Sequence, residues 1–301
     1  MKITLIGHCC VDVFHLADGS EKRELGGIFH AVAAMANIAS DRDTLFPVFG
    51  IGVSEFELVT SALSEYKNID LSGVFQYRGE SNFVHYFNDG APERSLTIAQ
   101  PIPFSRIKNY LDVDGVYINM ISGLDITLNT LDEIRLEVRG KKTSIHLDMH
   151  CLALTVNADG TRTRQTLSEW RRWCFMVEGV QMNEEEAAGI SFEHFNDDTL
   201  AKQMMHLMVK AFCVTRGEKG VTLFQSDHKH LIRKEFANDV NPNPVSIIGS
   251  GDIFGASFFY AFLKKKKYDE AAMFAQRASA LTTHYSVAEK HRCLAELRKE
   301  L

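Results

Sequence analysis

Ile248-Gly-Ser-Gly-Asp-Ile-Phe-Gly-Ala-Ser-Phe-Phe-Tyr-Ala-Phe-Leu263 is the stretch on which the reading of this chain turns. Gly249 and Gly251 flank Ser250 and lead into Asp252, after which an almost unbroken apolar run begins. Glycine tolerates positive φ and carries no Cβ, so the backbone can turn tightly and approach a ligand closely. The run 253–263 is long enough for about three helical turns and is apolar on most faces, which predicts a buried helix. A Gly-rich turn that opens such a helix offers unpaired N–H groups and the positive end of the dipole to an anion. Asp252 falls on the first turn, where the dipole favours its ionised form. Read as a capped loop, Gly-Ser-Gly-Asp needs no ligand. Read as a cradle with a carboxylate beside it, it is what phosphoryl transfer to a hydroxyl requires. This stretch alone does not separate the two.

A chain of 301 residues fits one large α/β domain or two smaller ones. With 45% hydrophobic and 24% charged residues, the composition is that of a soluble globular protein. A net charge of −6 argues against nucleic acid as a partner. It leaves a nucleotide open, since backbone dipoles and Mg²⁺ can hold one locally. No apolar run approaches the roughly 20 residues of a membrane span, and residues 1–7 do not read as a signal peptide. Six cysteines lie scattered without a C-x-x-C pair, which points to a reducing, cytoplasmic setting. The histidine pairs His146/His150 and His228/His230 lack the H-E-x-x-H pattern or nearby cysteines that a zinc site would need.

Residues 2–7 form a β-branched run ending in glycine, the pattern of a buried parallel strand. No G-x-G-x-x-G follows, which weakens a dinucleotide-dependent oxidoreductase. Residues 10–14 continue in extended fashion and place Asp12 among apolar neighbours, either as a structural hydrogen bonder or as a substrate contact. A polar turn is expected over 17–24, then Gly26-Gly27 opens an Ala-rich helix over 28–39. Strands follow at 44–49 and 70–77 around a helix at 56–63. Alternation in 76–103, broken by Asn88-Asp89-Gly90, predicts a hairpin in a small sheet with one open face.

The α/β rhythm resumes with strands at 115–120 and 143–148 around an amphipathic helix at 127–138. The basic, Trp-containing stretch 149–172 could bind a phosphate, but reads better as a surface helix with its tryptophans turned inward. Lys264–Lys267, at a helix C-terminus, complement its dipole without a ligand. A strand over 175–181 delivers Asn183 and Glu186, three apart at a helix mouth. They serve either as dipole complements or as oxygen groups that hold Mg²⁺ through water. Strands at 211–215 and 221–224 enclose Thr215-Arg-Gly217-Glu-Lys-Gly220, a tight turn able to lie against a nucleotide. Another strand at 231–236 and helices at 270–288 and 291–301 complete the chain.

In this order, the pieces resemble the ribokinase-like (PfkB) family of carbohydrate kinases. That family writes a first strand with an Asp, Gly-Gly before an Ala-rich helix, N-x-x-E, T-x-G-x-x-G and G-A-G-D. This chain has Asp12, Gly26-Gly27, Asn183 to Glu186, Thr215 to Gly220, and Gly249-Ser250-Gly251-Asp252. The resemblance implies an α/β fold over 1–301, a doubly wound, mainly parallel sheet flanked by helices, with a small β lid from about 12–25 and 75–100. It implies ATP and Mg²⁺ as cofactors, a sugar or polyol as acceptor, and a homodimer formed through the lid. Asp252 becomes the general base and the amides of Gly249, Ser250 and Gly251 the anion hole. Thr215, Gly217 and Gly220 border the nucleotide, Asn183 and Glu186 position Mg²⁺, and Asp12, Gly26, Gly27 and His30 face the acceptor.

Departures fall mostly at the acceptor end. Ala31, next to His30, stands where the family commonly carries a substrate-binding Asn, so the acceptor need not be ribose. The opening Gly-His8-Cys-Cys-Val-Asp12 resembles the inositol-kinase branch, a hint of a cyclitol. A nucleoside kinase of the same family and a catalytically inactive, kinase-like binding protein are the other readings. Before Gly249, Ser246-Ile-Ile replaces the family's D-T-T, whose acid belongs to a monovalent-cation site. Turnover is therefore predicted to be insensitive to K⁺, and exchange of K⁺ for tetramethylammonium checks it; a strict K⁺ requirement would show that Ser246 has been misread.

Overall fold

The computed structural model describes residues 1–88, 90–227, 230–238 and 241–301. Its strands are β1 (Lys2–Ile6), β2 (Cys9–His15), β3 (Glu21–Gly27), β4 (Thr44–Gly52), β5 (Val74–Tyr77), β6 (Asn82–Phe87), β7 (Arg94–Leu96), β8 (Gly115–Asn119), β9 (Ser144–Asp148), β10 (Leu154–Val156), β11 (Arg162–Arg164), β12 (Gly179–Asn183), β13 (Ala211–Thr215), β14 (Val221–Asp227) and β15 (His230–Phe236). Its helices are α1 (Ile28–Ile38), α2 (Val53–Ser64), α3 (Phe104–Ile107), α4 (Leu128–Glu137), α5 (Trp170–Cys174), α6 (Glu184–Gly189), α7 (Asp197–His206), α8 (Ser250–Lys265) and α9 (Tyr268–Thr282).

Among the described residues a nine-stranded sheet runs β15-β14-β13-β12-β9-β8-β1-β4-β5. Pairings from β13 to β5 are parallel, and β14 and β15 close one edge antiparallel. The central strands β8 and β9 are buried at every residue, as strands covered on both faces must be. After β1 the chain lays β4 and β5 to one side, then crosses back to lay β8, β9, β12 and β13 on the other. The order reverses between β1 and β8, and a crevice at the strands' C-terminal ends is the ligand position such a switch creates. Gly7, just past β1, passes close to β8; a Cβ there would stand 2.5 Å from the Asn119 carbonyl oxygen.

Helix α8 is buried without a break from Asp252 to Leu263, as its composition predicts. It packs between α1 and α9 and over β8 and β9. Phe259 lies 6.1 Å from the Tyr117 ring and 5.6 Å from His146. Each such buried aromatic contributes roughly 1.5–3 kcal/mol by burial. This packing aims the N-terminus of α8 at the crevice.

A second sheet, β3-β2-β6-β7, stands beside the first. The turn expected over 17–24 is shorter than predicted, because Glu21–Gly27 pairs with β2 from His15↔Glu21 to Cys9↔Gly27. Tertiary pairing overrides the polar composition there. β5 belongs to the large sheet, where it pairs with β4, so the small sheet draws on 82–96 from the second segment. β6 and β7 form the expected antiparallel pair, but Asp89 of the Asn88-Asp89-Gly90 signal lies outside the described residues, as does His228.

The stretch 149–172 differs from the helix predicted for it. A turn with Gly160 at φ 84° closes the small hairpin β10–β11, and the helical pieces are a short 3-10 turn over His150–Ala153 and α5. Trp170 and Trp173 are buried as expected. No helix among the described residues is long and apolar enough to cross a membrane.

Gly255 marks where α8 comes closest to the sheet: a Cβ there would stand 2.4 Å from the Tyr117 hydroxyl and 2.7 Å from Gln181 Oε1. Gly255→Val should therefore destabilise the fold by about 1–3 kcal/mol through overpacking, read as a lower urea midpoint with unchanged slope.

Candidate active site

Four neighbouring parallel strands end on a polar residue: β8 on Asn119, β9 on Asp148, β12 on Asn183 and β13 on Thr215. Strand ends at one sheet edge point these groups into the crevice, where a cavity of about 640 Å³ opens. Asp148, Asn183 and Thr215 line it, together with the 247–252 turn and residues of the small sheet.

Gly249 is the N-cap of α8 and holds φ 74°, ψ 2°, a left-handed conformation that glycine adopts without strain. A Cβ there would stand 2.6 Å from the His30 ring. The Ser250 N–H donates to the Ile247 carbonyl at 3.1 Å, which tightens the turn. The N–H groups of Gly249 and Gly251 make no hydrogen bond among the described residues, as expected where a helix begins. The Ser250 hydroxyl is likewise buried and unpartnered. The turn thus offers free donors at a helix N-terminus, the elements of an anion cradle.

Asp252 is buried in that first turn and faces the same cavity. Asn119 Nδ2 donates to its Oδ1 at 2.7 Å. The sequence reading did not include Asn119; its signal was its place as the last residue of a strand beside the switch point. Gln181, two residues before the end of β12, ties Asp148 Oδ2 (3.1 Å) to the Gly251 carbonyl (3.0 Å). Asp252 is thereby held in place from the sheet as well as from its own helix.

Asn183 and Glu186 meet as a full capping box. The Asn183 N–H and Nδ2 donate to the two Glu186 oxygens at 2.7 and 2.6 Å, and the Glu186 N–H returns a bond to Asn183 Oδ1 at 2.8 Å. Both residues also line the cavity. Burial raises the Glu186 carboxyl above its ordinary range, and Asp252 raises it further. Asp148 is raised well above its range by burial and then by Asp252 and Glu186, with His150 opposing. Such crowded oxygen donors suit a hard cation such as Mg²⁺. No cluster of three or more His, Cys, Asp or Glu forms a metal cage among the described residues, so water and phosphate oxygens would have to complete the shell.

Thr215 at the end of β13 and Gly217 and Gly220 after it border the cavity, with Gly217 at φ 55° and Gly220 at φ 95°. A Cβ on Gly220 would stand 2.0 Å from the Phe236 carbonyl oxygen, so the turn closes on β15 only with glycine. Beyond it the cavity runs along Asn238, Asn241, Pro244, Gln276, Ala280 and Thr283.

At the other end stand Asp12, Gly27 and His30. Gly26 is the close neighbour that lets Asp12 lie flat, since a Cβ on it would stand 2.4 Å from the Asp12 carboxyl. His30 Nε2 lies 3.6 Å from Asp12 Oδ2, and its Nδ1 lies 3.1 Å from His291 Nε2. His291 is held well below the imidazole range by burial, by His30 and by Lys290. Tyr86 and Val84 of β6, Ile121 and the pair Arg162–Glu93 (2.8 Å) complete this wall. Arg162 was expected on a surface helix; the β10–β11 hairpin brings it inward instead, with Nε donating to Ser95 Oγ at 2.7 Å. His150 also lines the cavity; although burial opposes its charge, Cys151, Asp252 and Asp148 hold it well above the usual range.

The pfkB family carbohydrate kinase model matches residues 151–290. No curated protein matches the chain by sequence. Among solved structures, a pyrophosphate-dependent kinase in the ribokinase family, complexed with a pyrophosphate analog and myo-inositol, is 15% identical over 97% of this chain and 99% of its own, with a TM-score of 0.77. Ribokinase from Thermotoga maritima is 17% identical over 99% of both chains, with a TM-score of 0.72. Arabidopsis thaliana ribokinase, complexed with ribose and ATP, is 16% identical over 99% and 98%, with a TM-score of 0.73. At this identity the likeness is one of fold: the mostly parallel sheet with its small companion sheet is the ribokinase arrangement, and the resemblance drawn from the five motifs holds.

The raised Asp148 carboxyl has a sign that can be checked. The folded chain holds that proton more tightly than the unfolded one, so the Asp148 contribution to stability falls as pH rises above the ordinary carboxylate range. Asp148→Asn, which keeps an oxygen for Gln181 and Tyr117 to bond, should raise the melting temperature at about pH 8 and gain little at about pH 4. A variant equally shifted at both would assign the effect to packing.

Proposed function

We propose that this chain, with the fold of ribokinase and the pfkB carbohydrate kinase pattern in its C-terminal half, transfers the γ-phosphoryl group of ATP to a hydroxyl of a sugar or polyol. One observation carries the reading. In a single cavity, a buried carboxylate on Asp252 stands beside the free amides of a helix N-terminus, with a wall carrying Asp12, His30 and Tyr86 on one side and a channel past Gly220 on the other.

In this reading, the acceptor lies against Asp12, Gly27 and His30, with one hydroxyl directed at Asp252. Asn119 occupies Oδ1, so Oδ2 is the oxygen that takes the hydroxyl proton. The freed electron pair attacks the γ-phosphorus while the bond to the β-phosphate oxygen breaks, and ADP leaves with that bonding pair. The amides of the 249–251 turn meet the charge developing on the transferred group. Asn183 and Glu186 would hold Mg²⁺ through its water shell, and the ion would supply charge neutralisation at the phosphates. The small sheet carries Asp12, Val84 and Tyr86 and so can act as a lid that excludes water.

A second donor has support. Two fold relatives with TM-scores of 0.76 and 0.77 are pyrophosphate-dependent kinases. The channel past Gly220, lined by Asn238, Pro244, Gln276 and Ala280, favours ATP, because pyrophosphate would leave it unfilled.

The test is phosphoryl transfer from ATP and from pyrophosphate over a panel of sugars, cyclitols and nucleosides. Transfer from ATP to a sugar or cyclitol is expected, with Asp252→Asn lowering kcat by about 10²–10⁴-fold at nearly unchanged donor affinity. Full activity in that variant would sink the assigned base. ATP binding without turnover on any acceptor would turn the reading into one of a binding protein. Asn119→Leu should lower kcat about 10-fold or more while sparing both KM values, since it removes only the group that orients Asp252.

A further inference from the structure

Behind the cradle lies a charge that the transfer scheme leaves unused. Lys290 is fully buried, and its ammonium donates to the Ile248 carbonyl. In a trans peptide the C=O and the following N–H point in opposite directions. An ammonium that holds the Ile248 oxygen therefore turns the Gly249 N–H away from itself. Gly249 lines the cavity, and its N–H makes no hydrogen bond among the described residues. The 245–249 turn reads Val-Ser-Ile-Ile-Gly and contributes no charge of its own.

The surroundings show which way this cation acts. Asp252 on α8 and Asp12 on β2 attract it, as does Cys293 from its own segment, while its burial works against the charge. His291, adjacent in sequence, is neutral in this setting and bridges to His30, whose ring packs on Gly249. A buried ammonium with a backbone carbonyl as partner carries a large desolvation cost, and a site that binds an anion beside it offsets that cost.

We propose that Lys290 is a built-in cation that positions the phosphoryl cradle, fixing the Ile248–Gly249 peptide so that its N–H meets the bound phosphate and lending that phosphate a positive charge. It is a positioning residue, since it acts through a peptide and touches no reacting atom. The inference rests on the cradle reading above, but it concerns anion binding and so can be tested apart from turnover.

The experiment measures tripolyphosphate affinity by calorimetry in the wild type, Lys290→Ala and the isosteric, uncharged Lys290→Met, with folding checked by circular dichroism. Both variants should bind about 10-fold or more weakly, and methylammonium, which fits the vacated space, should restore Lys290→Ala where tetramethylammonium does not. Burial lowers the Lys290 ammonium to about 8, so it is charged below that pH and neutral above it. Wild-type affinity for ATP, whose phosphates stay ionised over this range, should fall above about pH 8. Lys290→Met should show no such fall. His150 and Asp148 also face this region and remain in the variant, so the same fall in both proteins would assign it to them and overturn the proposal. Unchanged tripolyphosphate affinity in a folded variant would overturn it as well. Absence of turnover on every acceptor, with affinities behaving as stated, would defeat the kinase reading and leave Lys290 in place.

Discussion

Everything at this site depends on one backbone residue lying where no side chain fits. Gly249 holds φ 74°, and the His30 ring fills the space a Cβ would need. That close contact brings the N-terminal turn of α8 against α1. Asp252 inherits its position from the same turn, and Asn119 and Gln181 then hold Asp252 and the Gly251 carbonyl from the sheet. The long apolar run of α8 anchors this arrangement, because a helix buried from Asp252 to Leu263 cannot rotate without exposing phenylalanines.

Charge is the second organising fact. Asp148, Glu186 and Asp252 converge from three elements, and burial together with mutual repulsion raises the first two. Arg164, His150 and Lys290 answer from a hairpin, from the turn after β9 and from the C-terminal segment. Crowded carboxylates are costly to a folded chain unless a ligand relieves them, and such costs collect where binding occurs. The unliganded protein thus gathers ionisable groups of both signs at one cavity.

The frame of this site was legible in the sequence because glycine-dependent turns leave a residue-level signature. Gly26-Gly27, Gly217, Gly220 and Gly249 each stand where the structure allows no larger residue or needs positive φ. Their order along the chain carried the family resemblance, and that resemblance implied the doubly wound sheet. What escaped were side chains whose role comes from tertiary contact alone. Nothing local marks Lys290 in a charged tail, or Arg162 in a basic stretch that resembled a surface helix. Asn119, Asp148, Asn183 and Thr215 end neighbouring parallel strands, but the strands predicted over 115–120 and 175–181 stop on Met120 and Gln181, so that recurrence emerges only with the observed strand ends. Residues 21–24 were read as part of a turn because their polar side chains pair with β2 only once the small sheet exists.

The His30–His291 pair joins residues 261 positions apart in the chain. Long-range closures of this kind are slow to form, since their loop entropy must be overcome before the contact rewards it. The cradle therefore shares its floor with the last contacts to be made as the chain collapses. During synthesis a nascent chain can already carry Asp12, the first glycines and most of the sheet, yet lack the lysine and histidine that steady the turn. On the kinase reading proposed above, competence would then arrive late and all at once, and an incomplete polypeptide would have little means of squandering a phosphate donor.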